Sequence, residues 1–139
     1  MKRYSLLLLR LSLGGLMVYW GIDKLINVAH GLAVAQKFYG GVETGEALLH
    51  VFGMLQVALG AFVMIGLARR VTYPMLLLVT GTTLLAVWQS IVDPFKVVVE
   101  GGNLIFYPSL IIFAGGLVLL AFREEDELSW DGRRSRAAG

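Results

Sequence analysis

The chain has 139 residues, 57% of them hydrophobic and 16% charged, a formal net charge of +2 and no cysteine. A soluble domain averages roughly 25% charged residues, so this composition and the mean hydropathy of +0.72 argue for lipid as the solvent, and the length suits one domain. Without a thiol the chain itself cannot run a disulfide relay or hold an iron–sulfur cluster through thiolates; the net charge of +2 says little, because where the basic residues sit matters more than their sum, and no nucleic-acid partner is expected.

Four apolar runs follow one another: Tyr4–Trp20, Ala47–Ala68, Val71–Ile91 and Leu104–Phe122. Each is close to the ~20 residues with which an α-helix crosses ~30 Å of hydrocarbon. They predict an all-α integral membrane protein, a four-helix bundle over residues 1–123 with a mobile cytoplasmic tail over 124–139. The opening MKRYSLLLLRLSLGG has the basic start of a signal peptide. However, Arg10 interrupts the leucines, no A-x-A-like site follows, and the run continues to Trp20, so it is read as a retained first span.

In the connection from Asp23 to Glu46, Val28, Leu32, Val34 and Phe38 recur at near-helical spacing before Gly40-Gly41 breaks the pattern. With Lys37 and Tyr39 at its end, this predicts a short interfacial helix in the first outer loop. Arg69-Arg70 makes a tight turn, so the second and third spans are expected to be antiparallel neighbours. Asp93-Pro94 ends the third, because proline disfavours helical geometry in the residue before it. Residues 96–102 form an exposed outer loop, and Pro108 falls in the first turn of the fourth span, where its missing N–H is harmless.

The basic residues are unevenly divided. Lys2, Arg3, Arg69, Arg70, Arg123, Arg133, Arg134 and Arg136 lie on one side, against Lys24, Lys37 and Lys96 on the other, with Arg10 inside the first run. The positive-inside rule then places both termini in the cytoplasm of a cell whose inner membrane this multi-pass chain would span.

At 100° per residue, Arg10, Gly14, Met17, Gly21 and Lys24 share one stripe of the first span, and Glu46, His50, Gly53, Gln56, Gly60 and Met64 one face of the second. Glycines on such stripes let backbones approach and polar groups bond across, so these two helices are expected to touch. The third span has two polar lines, Tyr73, Thr80, Thr83 and Ser90 on one and Thr82, Gln89 and Asp93 on the other. Ser109 and Gly116 mark a packing face on the fourth.

The segments LLLRLSLGGLMVYWGIDKL (Leu7–Leu25) and GMLQVALGAFVMIGLARR (Gly53–Arg70), with Pro74 after them, resemble the DoxX family of small four-helix bacterial membrane proteins. DPFKVVVEGGNLIFYPSLIIFAGG (Asp93–Gly116) resembles one branch of it. The resemblance implies a four-helix bundle and an association with sulfur and quinone redox chemistry, through the related membrane subunit of thiosulfate:quinone oxidoreductases. Gln56 stands where many relatives are acidic, which with the missing cysteines weighs against a proton or electron relay in this chain.

Arg10 lies about six residues into its span, or ~9 Å deep, and can partly snorkel. Its readings are a structural anchor, bonded to carbonyls or to Glu124 or Glu125, and a lipid-headgroup ligand. Among the residues near the outer helix ends, Trp20, Trp88 and Tyr107 suit an aromatic belt. Lys24, His50, Gln89 and Asp93, with Glu46 beside them, carry both signs of charge. Either they form a network that fixes helix order, or they line a site for a quinone headgroup or a small anion. His30 and His50 have different neighbours and make no metal or haem pair. No nucleophile–base pair, phosphate loop or cofactor fingerprint is present, so no catalytic residue and no covalent cofactor is assigned. Two functions fit: an accessory or anchoring subunit meeting a protein partner or further copies of itself in a membrane redox complex, and a quinone-binding or anion-binding subunit whose electron carrier lies on another chain.

Overall fold

The computed structural model describes residues 1–38 and 45–137, and all regular structure among them is helical. Tyr39, the Gly40-Gly41 break and Gly41 itself fall outside the described residues. The first run becomes α1, Lys2–Ile26, longer at both ends than its apolar core. The near-helical spacing after it is α2, Val28–Phe38. The second run is α3, Glu46–Ile65.

Gly66 ends α3 with φ 74, a left-handed residue that costs glycine nothing. The Gly66 and Leu67 amides both donate to the Phe62 carbonyl, at 2.9 and 3.0 Å, satisfying groups the helix end would otherwise strand. The chain thereby reverses at once into α4, Arg69–Ala86, and α3 and α4 pack as the tight turn predicts.

The third run differs from the continuous span expected of it. α4 stops at Ala86, Val87 leaves helical geometry, and a separate short helix, α5, covers Trp88–Val92. Shortly before the break the hydroxyls of Thr80, Thr82 and Thr83 each donate to the carbonyl four residues back, at 2.8, 2.7 and 3.0 Å. Such back-bonding weakens and bends helices. The fourth run opens as a 3-10 turn, Leu104–Phe106, capped by the Asn103 side chain, and continues as α6, Pro108–Ala121, with Pro108 in its first turn.

Among the described residues three stretches are long and apolar enough to cross a membrane: Lys2–Ile26, Glu46–Ile65 and Leu104–Ala121. α4 has 18 residues but opens on two arginines and carries Thr72, Thr80, Thr82 and Thr83. The long helices pack in a ring, α1 on α3, α3 on α4, α4 on α6 and α6 on α1, while α2 rests on α1 and α3. Leu6, Leu13, Met17, Leu59, Val63, Tyr73, Leu76 and Leu119 form the buried core.

The α1–α3 contact predicted from the glycine stripes is present and is a contact of backbones. A Cβ placed on Gly14 would lie 2.7 Å from the Gly60 carbonyl oxygen, and one on Gly21 2.7 Å from that of Gly53. The seven-residue steps run in opposite directions along the two helices, so α1 and α3 are antiparallel over two turns.

Candidate functional site

The most deeply buried polar group sits where the α3–α4 turn meets the C-terminal segment. After α6 comes a 3-10 turn, Arg123–Glu125, and then a last helix, α7, Trp130–Ala137. This is the stretch expected to be mobile beyond its first turn. In the structure Asp126 and Ser129 are fully buried beneath the helices.

Arg10 of α1 is 2% exposed, and its Nη1 donates to Asp126 Oδ2 at 3.1 Å while Nη2 donates to the Leu128 carbonyl at 3.3 Å. The Tyr73 hydroxyl of α4 donates to the same Asp126 oxygen at 2.6 Å. Of the partners expected for Arg10 a carbonyl is found, and the carboxylate is Asp126 rather than Glu124 or Glu125. The 3-10 turn carries those two outward. Glu125 pairs with Lys2, and Glu124 with Arg123 at 2.9 Å.

Arg69 completes the closure. Its amide donates to Asp131 Oδ2 at 2.9 Å, and its Nη1 donates to the carbonyls of Arg123 and, at 3.2 Å, Asp126. Ser129 Oγ donates to the Asp126 carbonyl at 2.5 Å and accepts from the Gly132 amide at 3.0 Å. The Asp131 amide donates to the Gly66 carbonyl at 3.3 Å. A Cβ on Gly66 would strike Arg10 and Ser129, so this glycine serves both the reversal and the close approach of the tail. In this arrangement one carboxylate oxygen pairs with a buried guanidinium and accepts from a phenol, main-chain carbonyls accept from Arg10 Nη2 and Arg69 Nη1, and Arg10 Nε, Arg69 Nε and Asp126 Oδ1 are left without a hydrogen-bond partner. It is chemistry suited to fastening the C-terminal segment to the helices.

The polar residues near the helix ends away from the termini fall into two groups. Lys24 Nζ donates to Gln56 Oε1 at 2.8 Å and to the Trp20 carbonyl at 3.3 Å, and Gln56 Nε2 reaches Met17 Sδ at 3.8 Å. His50 is half-buried two turns before Gln56 on α3, and Glu46 is exposed in the first turn, where the helix dipole favours a carboxylate.

The second group belongs to α5 and the loop that follows it. Asp93 Oδ2 accepts from the Val98 and Val99 amides at 2.5 and 2.8 Å. Those amides, Val99 first and then Val98, hold the Asp93 carboxyl below the usual carboxylate range. Gln89 lies against Gly101, whose added Cβ would be 2.9 Å from Gln89 Oε1. Ser90 Oγ accepts from the Asn103 amide at 3.0 Å. Among the described residues no hydrogen bond or ion pair joins Lys24 or His50 to Gln89 or Asp93.

Compared with known protein families, residues 5–90 match the family described as DoxX. No curated protein and no solved structure matches the chain.

Proposed function

The chain belongs to the DoxX family, and from that premise we propose that it is an accessory or anchoring subunit of a membrane-associated redox complex, a four-helix transmembrane bundle with no reaction of its own. Both termini lie in the cytoplasm of a cell bounded by this membrane, and α2 lies along the opposite surface. One observation carries the reading: the polar side chains inside the helices hold the protein together. Arg10 fastens the tail through Asp126 and Leu128, and Lys24 ties α1 to α3 through Gln56.

A second reading, a quinone or small anion held near Lys24 and His50 with Gln89 and Asp93 at the same mouth, draws on one feature. Among the described residues the half-buried Lys24 ammonium bonds only neutral oxygens. A single and double substitution separate the two readings. Lys24→Met should lower thermal stability by about 0.6 to 2 kcal/mol, the range for an interhelical hydrogen bond in lipid, and adding Gln56→Leu should recover part of it by removing the stranded amide. Co-purified quinone and captured partner should be unchanged in both. A folded Lys24→Met protein that has lost its quinone would turn the assignment to the second reading.

The topology has its own check, made easy by the absence of native cysteine. A cysteine at Val98, which is 86% exposed in the outer loop, should react with an impermeant thiol reagent in intact cells, and one at Ser135 should react only after lysis. Labelling at Ser135 without lysis would reverse the orientation.

A further inference from the structure

Two cavities open at the end of the molecule where the N-terminus, the α3–α4 turn and α7 meet. The one of about 660 Å³ is bordered by Met1, Lys2, Arg3, Arg69 and Arg136 against Glu124, Glu125 and Glu127. Lys2 pairs with Glu125 and Arg136 with Glu127 at 2.5 Å, which leaves Arg3 as its one guanidinium without an ion pair among the described residues. The one of about 470 Å³ lies between the start of α4 and α7, with Arg69, Arg70, Arg123 and Arg134 around it against Glu124 and Asp131. Both acids are engaged, Glu124 by Arg123 and Asp131 by Arg69. Arg70 and Arg134 are exposed and enter no ion pair among the described residues.

Two unmatched guanidinium groups on different helices, facing one cavity, suit an anion with several oxygens, because each planar fork can donate two parallel hydrogen bonds. The border of the cavity adds a second property. Val71 lines it and is 58% exposed, and Trp130, also 58% exposed, opens α7 next to Asp131. An apolar flank and a tryptophan beside a basic hollow at a membrane helix end are what a lipid presents its headgroup to. A free phosphate would use the arginines and leave that flank idle.

We infer that this cavity binds the phosphate of an anionic phospholipid headgroup, with Arg70 and Arg134 as its charge partners and the acyl chains descending past Val71 along α4. The bound lipid joins α4 to α7 and so belongs to the same closure as Arg69 and Asp131. The site is separate from the outer residues considered for quinone.

The test is native mass spectrometry of the purified full chain in mild detergent, titrated with phosphatidylglycerol, with phosphatidylcholine and with inorganic phosphate. The wild type should prefer phosphatidylglycerol. Arg70→Gln with Arg134→Gln should weaken that binding roughly 30-fold, about fivefold for each lost charge near a lipid phosphate. Arg134→Gln alone should lose about fivefold, which keeps the test open if the double variant does not fold. Lys2→Gln with Arg136→Gln removes the same charge from the neighbouring cavity and should bind as the wild type does. Equal loss in the two double variants would show diffuse surface charge and overturn the site. Equal binding of the two lipids would do the same, and inorganic phosphate displacing phosphatidylglycerol would overturn its assignment to a lipid.

Discussion

Asp126→Leu should destabilise the protein by roughly 3–5 kcal/mol, the cost of breaking a buried ion pair from one side. The substitution leaves the Arg10 guanidinium, 2% exposed, without its carboxylate and takes the acceptor from Tyr73. A native protein has only about 5–15 kcal/mol in hand, so the variant should accumulate poorly and melt early when followed by size-exclusion chromatography after heating. Trypsin should also cut faster at Arg133 and Arg134, since α7 is held in place largely through Asp126, Ser129 and Asp131. Adding Arg10→Met should restore part of the stability, because an absent pair costs less than a stranded charge. Asp126→Asn should fall between, keeping an acceptor for Tyr73 and losing the charge. An Asp126→Leu protein with unchanged melting and unchanged protease resistance would mean that the tail is not fastened through this residue.

That fastening also marks where sequence reasoning stops. Arg10 was legible as a residue in need of a partner, because a cation inside an apolar run is costly. Its partner lies 116 positions away, in REEDELSWDGRRSR, a stretch that is acidic, then basic and small, and that reads as a mobile tail. Asp126 and Ser129 are the buried residues of that stretch, and both are polar, so they leave no apolar pattern. The choice of Asp126 over Glu124 and Glu125 depends on the 3-10 turn before it, which no side-chain pattern announces.

The opposite end of the helices shows a related failure. Reasoning from opposite charges brings Lys24 toward Asp93, yet Lys24 takes a neutral amide on the facing stripe, and Asp93 takes the main-chain amides of its own loop. Lys24 and Gln56 were both assigned to the stripes that meet, so that bond was within reach of the periodicity. Backbone partners carry no side-chain signature, and Asp93 was not. The break at Val87 was hidden for a different reason: hydropathy continues unbroken through it, while the hydrogen bonds that bend the helix come from threonines that also suit a packing face.

The glycine stripes transferred from sequence to structure most directly, and they yield a prediction in which two neighbouring glycines of one helix respond with opposite sign. A Cβ on Gly60 would stand 2.5 Å from the Gly14 carbonyl oxygen, 2.7 Å from the Val18 amide nitrogen and 2.8 Å from Val18 Cγ2. Two of those atoms are backbone, so relief requires α1 and α3 to separate, and with them the side-chain packing of Met17, Leu59 and Val63. Gly60→Ala should therefore cost roughly 1–3 kcal/mol as an overpacked contact, and Gly60→Val more. Gly14→Ala meets the same wall from the other side, 2.7 Å from the Gly60 oxygen. Gly15, the next residue on α1, has nothing within 4 Å of an added Cβ. There the alanine brings only its better helix propensity, worth about 0.5–1 kcal/mol, so Gly15→Ala should melt at or above the wild-type temperature. Thermal melts of the three alanine variants in one detergent distinguish contact from propensity. If all three shifted together, the stripe would matter through helix formation alone, and the close antiparallel crossing of α1 and α3 would not be what holds these helices in register.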